Sequence, residues 1–372
     1  MPQTIVWKHL FSNFHNLAFR PVPQQITCYQ HNVSGEEIRV ELNNRYDDVP
    51  LEIKSLQIAA TPDLRDAVTL TFAGQKQGLV PAERTLWSDT VHFPLKAGRP
   101  FYLALIATNT KGQINSLAST LDHYLVNVIS ATSLLERNYF YGVDNIQVTT
   151  KQAIQTLTFF GDSLINQGLF TSALAQRLYQ KAPGQITTFN AGISGNRLLR
   201  AGDSRSPWND SFGLAGKERF MCDVLCSRPD VVLFMEGVND LFHPGAGAPE
   251  HELPTAAALI GGISQLYHVC QRRGICFIPL TITPFKGAQN FDVLSWTPAK
   301  EKIRQAVNRY IMTLPNAFDL AEQVAMTTDP TILAPAYDCG DHLHFSPSGA
   351  TKIGQFLAER LAGSLLAQNQ EG

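Results

Sequence analysis

The chain has 372 residues, 44% hydrophobic and 17% charged, so it can bury cores of ordinary size and does not read as a disordered polymer. At about 150 residues per domain, that length allows two or three domains. Lys and Arg number 30 against 32 Asp and Glu, a net charge of −2. Without a basic surplus to hold a phosphate backbone, the chain is not expected to be a dedicated nucleic-acid binder.

No run approaches the roughly 20 apolar residues of a membrane span. The start, MPQTIVWKHLFSNFHNLAF, lacks the basic segment, apolar block and small-residue cleavage site of a secretory signal, so a cytoplasmic location is expected. The six cysteines are sparse and mostly in apolar surroundings, which reads as reduced, buried thiols rather than a disulfide framework. Cys222 and Cys226 are four apart, but no second ligand pair follows at zinc spacing, so no metal is expected there.

Residues 1–148 read as strands. GEEIRVELNN places Ile38, Val40 and Leu42 at alternate positions, and DAVTLTFAG does the same with Val68, Leu70 and Phe72. PLEIKSLQIAA, SDTVHFPL, RPFYLALIATN and YLVNVIS are further short apolar runs between turn residues. This predicts an all-β, jelly-roll-like sandwich. Residues 148–154, VTTKQAI, read as a linker.

From residue 155 strands and helices alternate. QTLTFFGDS precedes the helical FTSALAQRLYQK, and ITTFNAG precedes FGLAGKERFMCDVLC. PDVVLFMEG precedes TAAALIGGISQLYHVCQRRG, and ICFIPLTITPF precedes TPAKEKIRQAVNRYIMTL. NAFDLAEQV, read as a last strand, precedes SPSGATKIGQFLAERLAGSLLAQ, where Ser346 caps and Pro347 suits the first turn. The pattern predicts βαβ units and a parallel sheet over 149–372, with ligands bound beyond the carboxyl ends of the strands.

Chemistry is therefore sought just after each apolar run. Gly161-Asp162-Ser163 follows the first strand and places a serine at a helix start. A second copy, Gly202-Asp203-Ser204, has no strand before it and reads as loop. Asn190-Ala191-Gly192-Ile193-Ser194-Gly195-Asn196 follows the second strand, and a glycine there offers an unshielded N–H. Glu236-Gly237-Val238-Asn239-Asp240 follows the third and offers a side-chain amide. Near the end, Asp341 and His344 are three apart in DCGDHLHFS, close enough for the carboxylate to hold one imidazole nitrogen and leave the other as a base. Together these are the parts of an acyl-transfer site: nucleophile Ser163, base His344, orienting Asp341, and oxyanion donors Ser163 N–H, Gly195 N–H and the Asn239 amide.

The four blocks FFGDSLINQG, FNAGISGNRLL, FMEGVND and YDCGDHLHFSPSG, in this order, resemble the SGNH (GDSL-type) hydrolase superfamily. Ser163, Gly195, Asn239, and Asp341 with His344 match its blocks, over roughly residues 135–365. The resemblance implies a flavodoxin-like three-layer α/β/α fold, no metal or organic cofactor, and hydrolysis of carboxylic esters or thioesters. Acetylated sugars, short acyl esters and lysophospholipids are among the implied substrate classes. SGEEIRVELNNRYDDVPLEI and RNYFYGVDNIQV are similar to the β-sandwich that precedes the hydrolase domain in one bacterial branch. Transfer of the acyl group to an alcohol acceptor would use the same acyl-enzyme, and an inactive, carbohydrate-binding version of the fold is the non-catalytic alternative.

The last block departs from the pattern in holding Asp338 and His342 beside Asp341 and His344; the spacing favours the latter pair. His342 reads as a loop residue beside the site and Phe345 as packing. Loops 198–217, 241–254 and 284–299 should frame the pocket, with Arg197, Arg200, Trp208, Phe212, Phe242, His243, Phe285, Phe291 and Trp296 as candidates for its walls. Arg197, Trp208, Phe242 and Trp296 are the substrate-pocket choices, and Arg197 is expected to pair with Glu236. The expected partner is a small-molecule or carbohydrate ester. For the N-terminal part three roles stay open: sugar binding, one wall of the cleft, or a homo-oligomer surface.

Overall fold

The computed structural model describes residues 3–202 and 205–367. They form two compact units. One is built on residues through Thr156 with Ala175–Phe189 and the stretch from Arg360. The other is built on Leu157–Leu174 and Asn190–Glu359.

The first unit contains a sandwich of two antiparallel sheets. One has seven strands, with Tyr139–Thr149 pairing Gly35–Asn43, Ser116–Ser119 and the N-terminal strand Gln3–Lys8. The other has six, with Phe101–Thr108 between Gln25–Tyr29 and Leu51–Ala59. Ile38, Val40 and Leu42 are all fully buried, as their alternation requires, and they share one core with Ile53, Leu56, Ile58, Leu103 and Leu105 of the other sheet. Trp7 meets Tyr29 edge-on at 4.8 Å, and Tyr29 stacks on Phe101 at 5.5 Å. The apolar content of this half thus closes its own core.

The α/β part is a four-stranded sheet in the order Ile186–Gly192, Gln155–Gly161, Val231–Met235, Cys276–Pro279. Leu157 pairs in parallel with Val231, and Val231 with Cys276. The first three strands are buried at every residue, as a sheet covered on both faces demands. Helices Leu169–Lys181 and Pro347–Ala367 pack on each other, and Gly216–Asp223, Ala256–Arg272 and Pro298–Ile311 form a second group. The fold is the flavodoxin-like three-layer α/β/α arrangement. The strand order reverses beside Gln155–Gly161, which puts the topological switch point at the end of that strand.

Several expectations are corrected. NAFDLAEQV is not a strand: Phe318 makes one parallel bridge with Leu280, and Leu320–Val324 is a helix because Asp319 accepts a hydrogen bond from the Glu322 N–H. The linker is shorter than 148–154, since the strand runs on through Thr149. The six cysteines are free thiols, but Cys222, Cys226 and Cys339 are exposed rather than buried. Asp203 and Ser204 of the second Gly-Asp-Ser lie outside the described residues. Among the described residues no helix is long and apolar enough to cross a membrane.

Candidate active site

The strand Gln155–Gly161 ends on a glycine for a steric reason: a Cβ at Gly161 would lie 2.0 Å from the Met235 carbonyl oxygen of the neighbouring strand. The chain then turns sharply. The Asp162 carboxylate caps the short helix Ser163–Asn166 by accepting the Leu164 N–H at 3.0 Å. This sets Ser163 at the strand end, 8% exposed. Its Oγ lies 2.8 Å from His344 Nε2. His344 Nδ1 lies 2.6 Å from Asp341 Oδ2, while Asp341 Oδ1 accepts the N–H groups of Leu343 at 2.9 Å and His344 at 2.8 Å. Partial burial works to raise the Asp341 carboxyl. The hydrogen bond and charge of His344, with the two backbone donors, overcome it and hold the group well below the usual carboxylate range. An ionised Asp341 accepts a hydrogen bond from Nδ1–H, which keeps that proton on the ring, so Nε2 presents its lone pair to the serine hydroxyl.

The oxyanion candidates are held by a second network. Gly195 sits at φ 77°, and a Cβ there would come within 2.2 Å of the Phe212 ring, so both backbone and space call for glycine. Its carbonyl lies 3.2 Å from His243 Nε2. Burial, aided by the charge of Arg197, pushes His243 down to about 4, so the neutral ring donates its Nε2 proton to that carbonyl. The Asn239 amide donates to the Asn196 carbonyl at 2.9 Å, which fixes its plane and leaves its second N–H uncommitted among the described residues. Asp240 accepts the N–H groups of Leu198 at 2.6 Å and Leu199 at 2.9 Å, tying the segment after Gly195 to the segment after the third strand.

Two residues of this network lie outside the candidates that the sequence suggests. Asn196 is fully buried; it donates to the carbonyls of Phe212 at 2.6 Å and Leu214 at 2.7 Å, and accepts from Arg219 Nε at 2.7 Å. Arg219, 4% exposed, also donates to Ala191 O at 2.8 Å and Gly161 O at 2.9 Å, and its guanidinium lies 4.2 Å from the Phe160 ring centre. It therefore binds the ends of two strands and the loop of Gly195 and Asn196 together.

Beneath the serine, Asp162, Glu236 and Asp240 are all buried. Burial is the main cause that pushes Asp162 up to about 7, Asp240 up to about 6 and Glu236 well above the ordinary range. The expected Arg197–Glu236 pair does not form. Glu236 lies 3.5 Å from Arg219, and Arg197 pairs with Glu252 at 2.6 Å, because Arg197 follows the loop away from the sheet while Arg219 rises from the helix beside it.

Asp162 makes stability depend on pH. Its Oδ2 has no hydrogen-bond partner among the described residues. With the folded pKa raised above the ordinary 3.8, the folded state binds this proton more tightly than the unfolded state, so stability is lost as pH rises from about 4 to 7. Asp162→Asn keeps the capping oxygen and removes the charge. Relative to wild type it should gain stability on going from pH 4.5 to 8, by about 1.4 kcal/mol for each tenfold difference in proton affinity between the folded and unfolded carboxyl. Urea midpoints at the two pH values measure it.

The pocket candidates separate. Phe242 is 7% exposed and Phe285 fully buried, so both are packing. Arg197 is buried and faces, with Arg200, Lys217 and Asp240, a cavity of about 410 Å³ whose lining does not include Ser163 or His344. Trp208 is 36% and Phe291 51% exposed. Trp296 donates to Glu301 at 3.2 Å, beneath Lys286. Phe212 packs against the His243 ring. Loops 241–254 and 284–299 are joined by Lys300, whose ammonium donates to the Pro244 and Ser295 carbonyls, and by the Ser295 hydroxyl on Phe242 O. Phe345 is buried against Phe170.

The family model for the GDSL-like lipase/acylhydrolase family matches residues 159–352, from the strand before Ser163 to the helix after His344. The chain belongs to that family. GDSL-like hydrolases also appear among similar solved structures. A GDSL-like lipase from Bacteroides thetaiotaomicron is 18% identical, covering 57% of this chain and 89% of its own, with a TM-score of 0.39. An acetyl xylan esterase is 19% identical, covering 55% and 98%, with a TM-score of 0.40. A variant of an acetyl-xylooligosaccharide esterase from Geobacillus is 18% identical, covering 57% and 94%, with a TM-score of 0.39. No curated protein matches the chain.

Proposed function

We propose that this GDSL-like protein hydrolyses short acyl or acetyl esters of small alcohols or carbohydrates through an acyl-enzyme on Ser163. The observation that carries the reading is the unbroken chain from Ser163 Oγ through His344 to Asp341, with contacts of 2.8 and 2.6 Å. His344 takes the serine proton as the hydroxyl attacks the ester carbonyl, then gives it to the departing alcohol; a water deprotonated by the same nitrogen releases the acid. The N–H groups of Ser163 and Gly195 and the Asn239 amide stabilise the tetrahedral oxyanion. In this reading the hydrolase domain spans residues 149–372 and the sandwich residues 1–148. The near-neutral charge of −2 suits an uncharged ester, for which long-range steering matters little.

The test combines p-nitrophenyl acetate turnover with a fluorophosphonate probe: labelling mapped to Ser163 supports the reading, and labelling elsewhere or none refutes it. Asn239→Ala tests the oxyanion site. One lost donor costs about 2.7–4 kcal/mol, so kcat should fall by about 10²–10³ with a much smaller change in KM.

A further inference from the structure

One Asp–His pair beside the triad takes no part in the proton relay. His342 lies two residues before His344 in the same loop, at φ 63°, a backbone conformation that side-chain-bearing residues rarely adopt. It is held there from both sides. The Asp338 carboxylate accepts the N–H groups of Gly340 at 2.7 Å and His342 at 3.0 Å, and its Oδ2 lies 2.7 Å from His342 Nδ1. The ring rests on Gly287 of loop 284–299, where a Cβ would come within 2.9 Å of it. Yet the His342 side chain is 47% exposed while that of its anchor Asp338 is 9% exposed. A carboxylate whose three hydrogen bonds all fix the loop and ring of an exposed imidazole orients that imidazole toward something outside the protein. With Nδ1 on the carboxylate, Nε2 makes no bond among the described residues, and on a neutral ring it is the lone-pair nitrogen.

Which part of a substrate would meet it follows from the proton route. The departing oxygen must receive its proton from His344 Nε2, so the alcohol portion of the ester lies on the His344 side of Ser163. That side is open: the side chains of His344 and Asp341 are 21% and 48% exposed. Resting on the esterase reading above, we propose that His342 is a specificity-determining residue that accepts a hydrogen bond from a hydroxyl of the leaving alcohol, with Asp338 as its positioning residue. The preferred esters are then those of polyhydroxylated alcohols. A packing role would need a buried ring, and a role as loop staple alone would make removal of the ring cost the same on every ester.

The experiment compares 2,3-dihydroxypropyl acetate with propyl acetate, which share an acyl group and differ in the alcohol hydroxyls. Wild type should favour the dihydroxy ester in kcat/KM by roughly 3- to 10-fold, the worth of one hydrogen bond. His342→Gly removes the ring and relieves the backbone; His342→Asn, tolerant of this φ, is the second variant. Both should erase the preference, chiefly through KM for the dihydroxy ester, while melting temperatures hold or rise. Equal losses on both esters would make His342 only a support for the His344 loop, and an intact preference would separate the ring from the alcohol; either overturns the proposal. Wild-type protein that hydrolyses neither ester and resists the fluorophosphonate overturns the esterase reading itself, a result separable from loss of preference alone.

Discussion

Ser163→Ala and His344→Ala should each lower kcat for p-nitrophenyl acetate by on the order of 10⁴–10⁶, and the double variant should be no worse than either single one. The reason is geometric. The hydroxyl is a weak nucleophile until the imidazole takes its proton, and the imidazole has nothing to activate once the hydroxyl is gone, so the two act as one unit. The 2.8 Å bond between them is the link that either substitution breaks. Asp341→Asn should cost less, about 10⁴, because the ring keeps its place in the loop and loses mainly the correct tautomer. None of the three should unfold the protein: the Ser163 hydroxyl is small, and the His344 and Asp341 side chains are partly exposed. Thermal melts beside the kinetics separate the two effects. A Ser163→Ala protein that keeps a substantial fraction of wild-type kcat would remove this serine from the role.

The parts of the site that can be read from sequence are those whose position depends on one local rule. A side chain just after a buried strand must stand at the sheet's carboxyl edge, and this places Ser163, Gly195 and Asn239 at their strand ends. Asp341 and His344 are three residues apart, so their contact is also local. Arg219 obeys no such rule. Lys217, Glu218 and Arg219 follow one another on one short helix, and choosing which of them turns inward requires knowing where the sheet lies. Asn196 is hidden for the same reason: its partners at Phe212, Leu214 and Arg219 are 16 to 23 residues away across a loop without periodicity. The helix at Leu320–Val324 does have a signal of its own: Asp319 stands three residues before Glu322, a helix start that outweighs the apolar run read as a strand. The strand Gln3–Lys8 escapes a period-two reading because its register shifts between Ile5 and Trp7, which leaves Val6 and Trp7 buried side by side.

Arg219→Met should destabilise the fold by about 3–5 kcal/mol at pH 8, the usual cost of removing one partner from a buried ion pair. Methionine retains much of the length and the contact with Phe160, so the loss is electrostatic and not a cavity. Glu236 loses its cation, and Gly161 O, Ala191 O and Asn196 Oδ1 lose the donor that Arg219 gives them. The sign with pH follows from the raised Glu236 carboxyl. Removing the cation raises it further, so the penalty is full where Glu236 would be ionised and fades as pH falls and the group takes up a proton. Glu236→Gln added to Arg219→Met should recover part of the stability at pH 8 and little at pH 5. Activity should fall with stability in the single variant, because Asn196 carries the carbonyl that orients Asn239. Urea titrations at both pH values, with kcat at each, decide it: a loss of less than about 1 kcal/mol at pH 8 would mean the guanidinium is bystander packing, since neutral surface changes stay within about ±0.5 kcal/mol. The buried arginine faces two of the three carboxyl groups, Glu236 and Asp162, while Arg197 serves Asp240. The same fork also holds the loop that carries Gly195 and Asn196, so removing it changes support and electrostatics together.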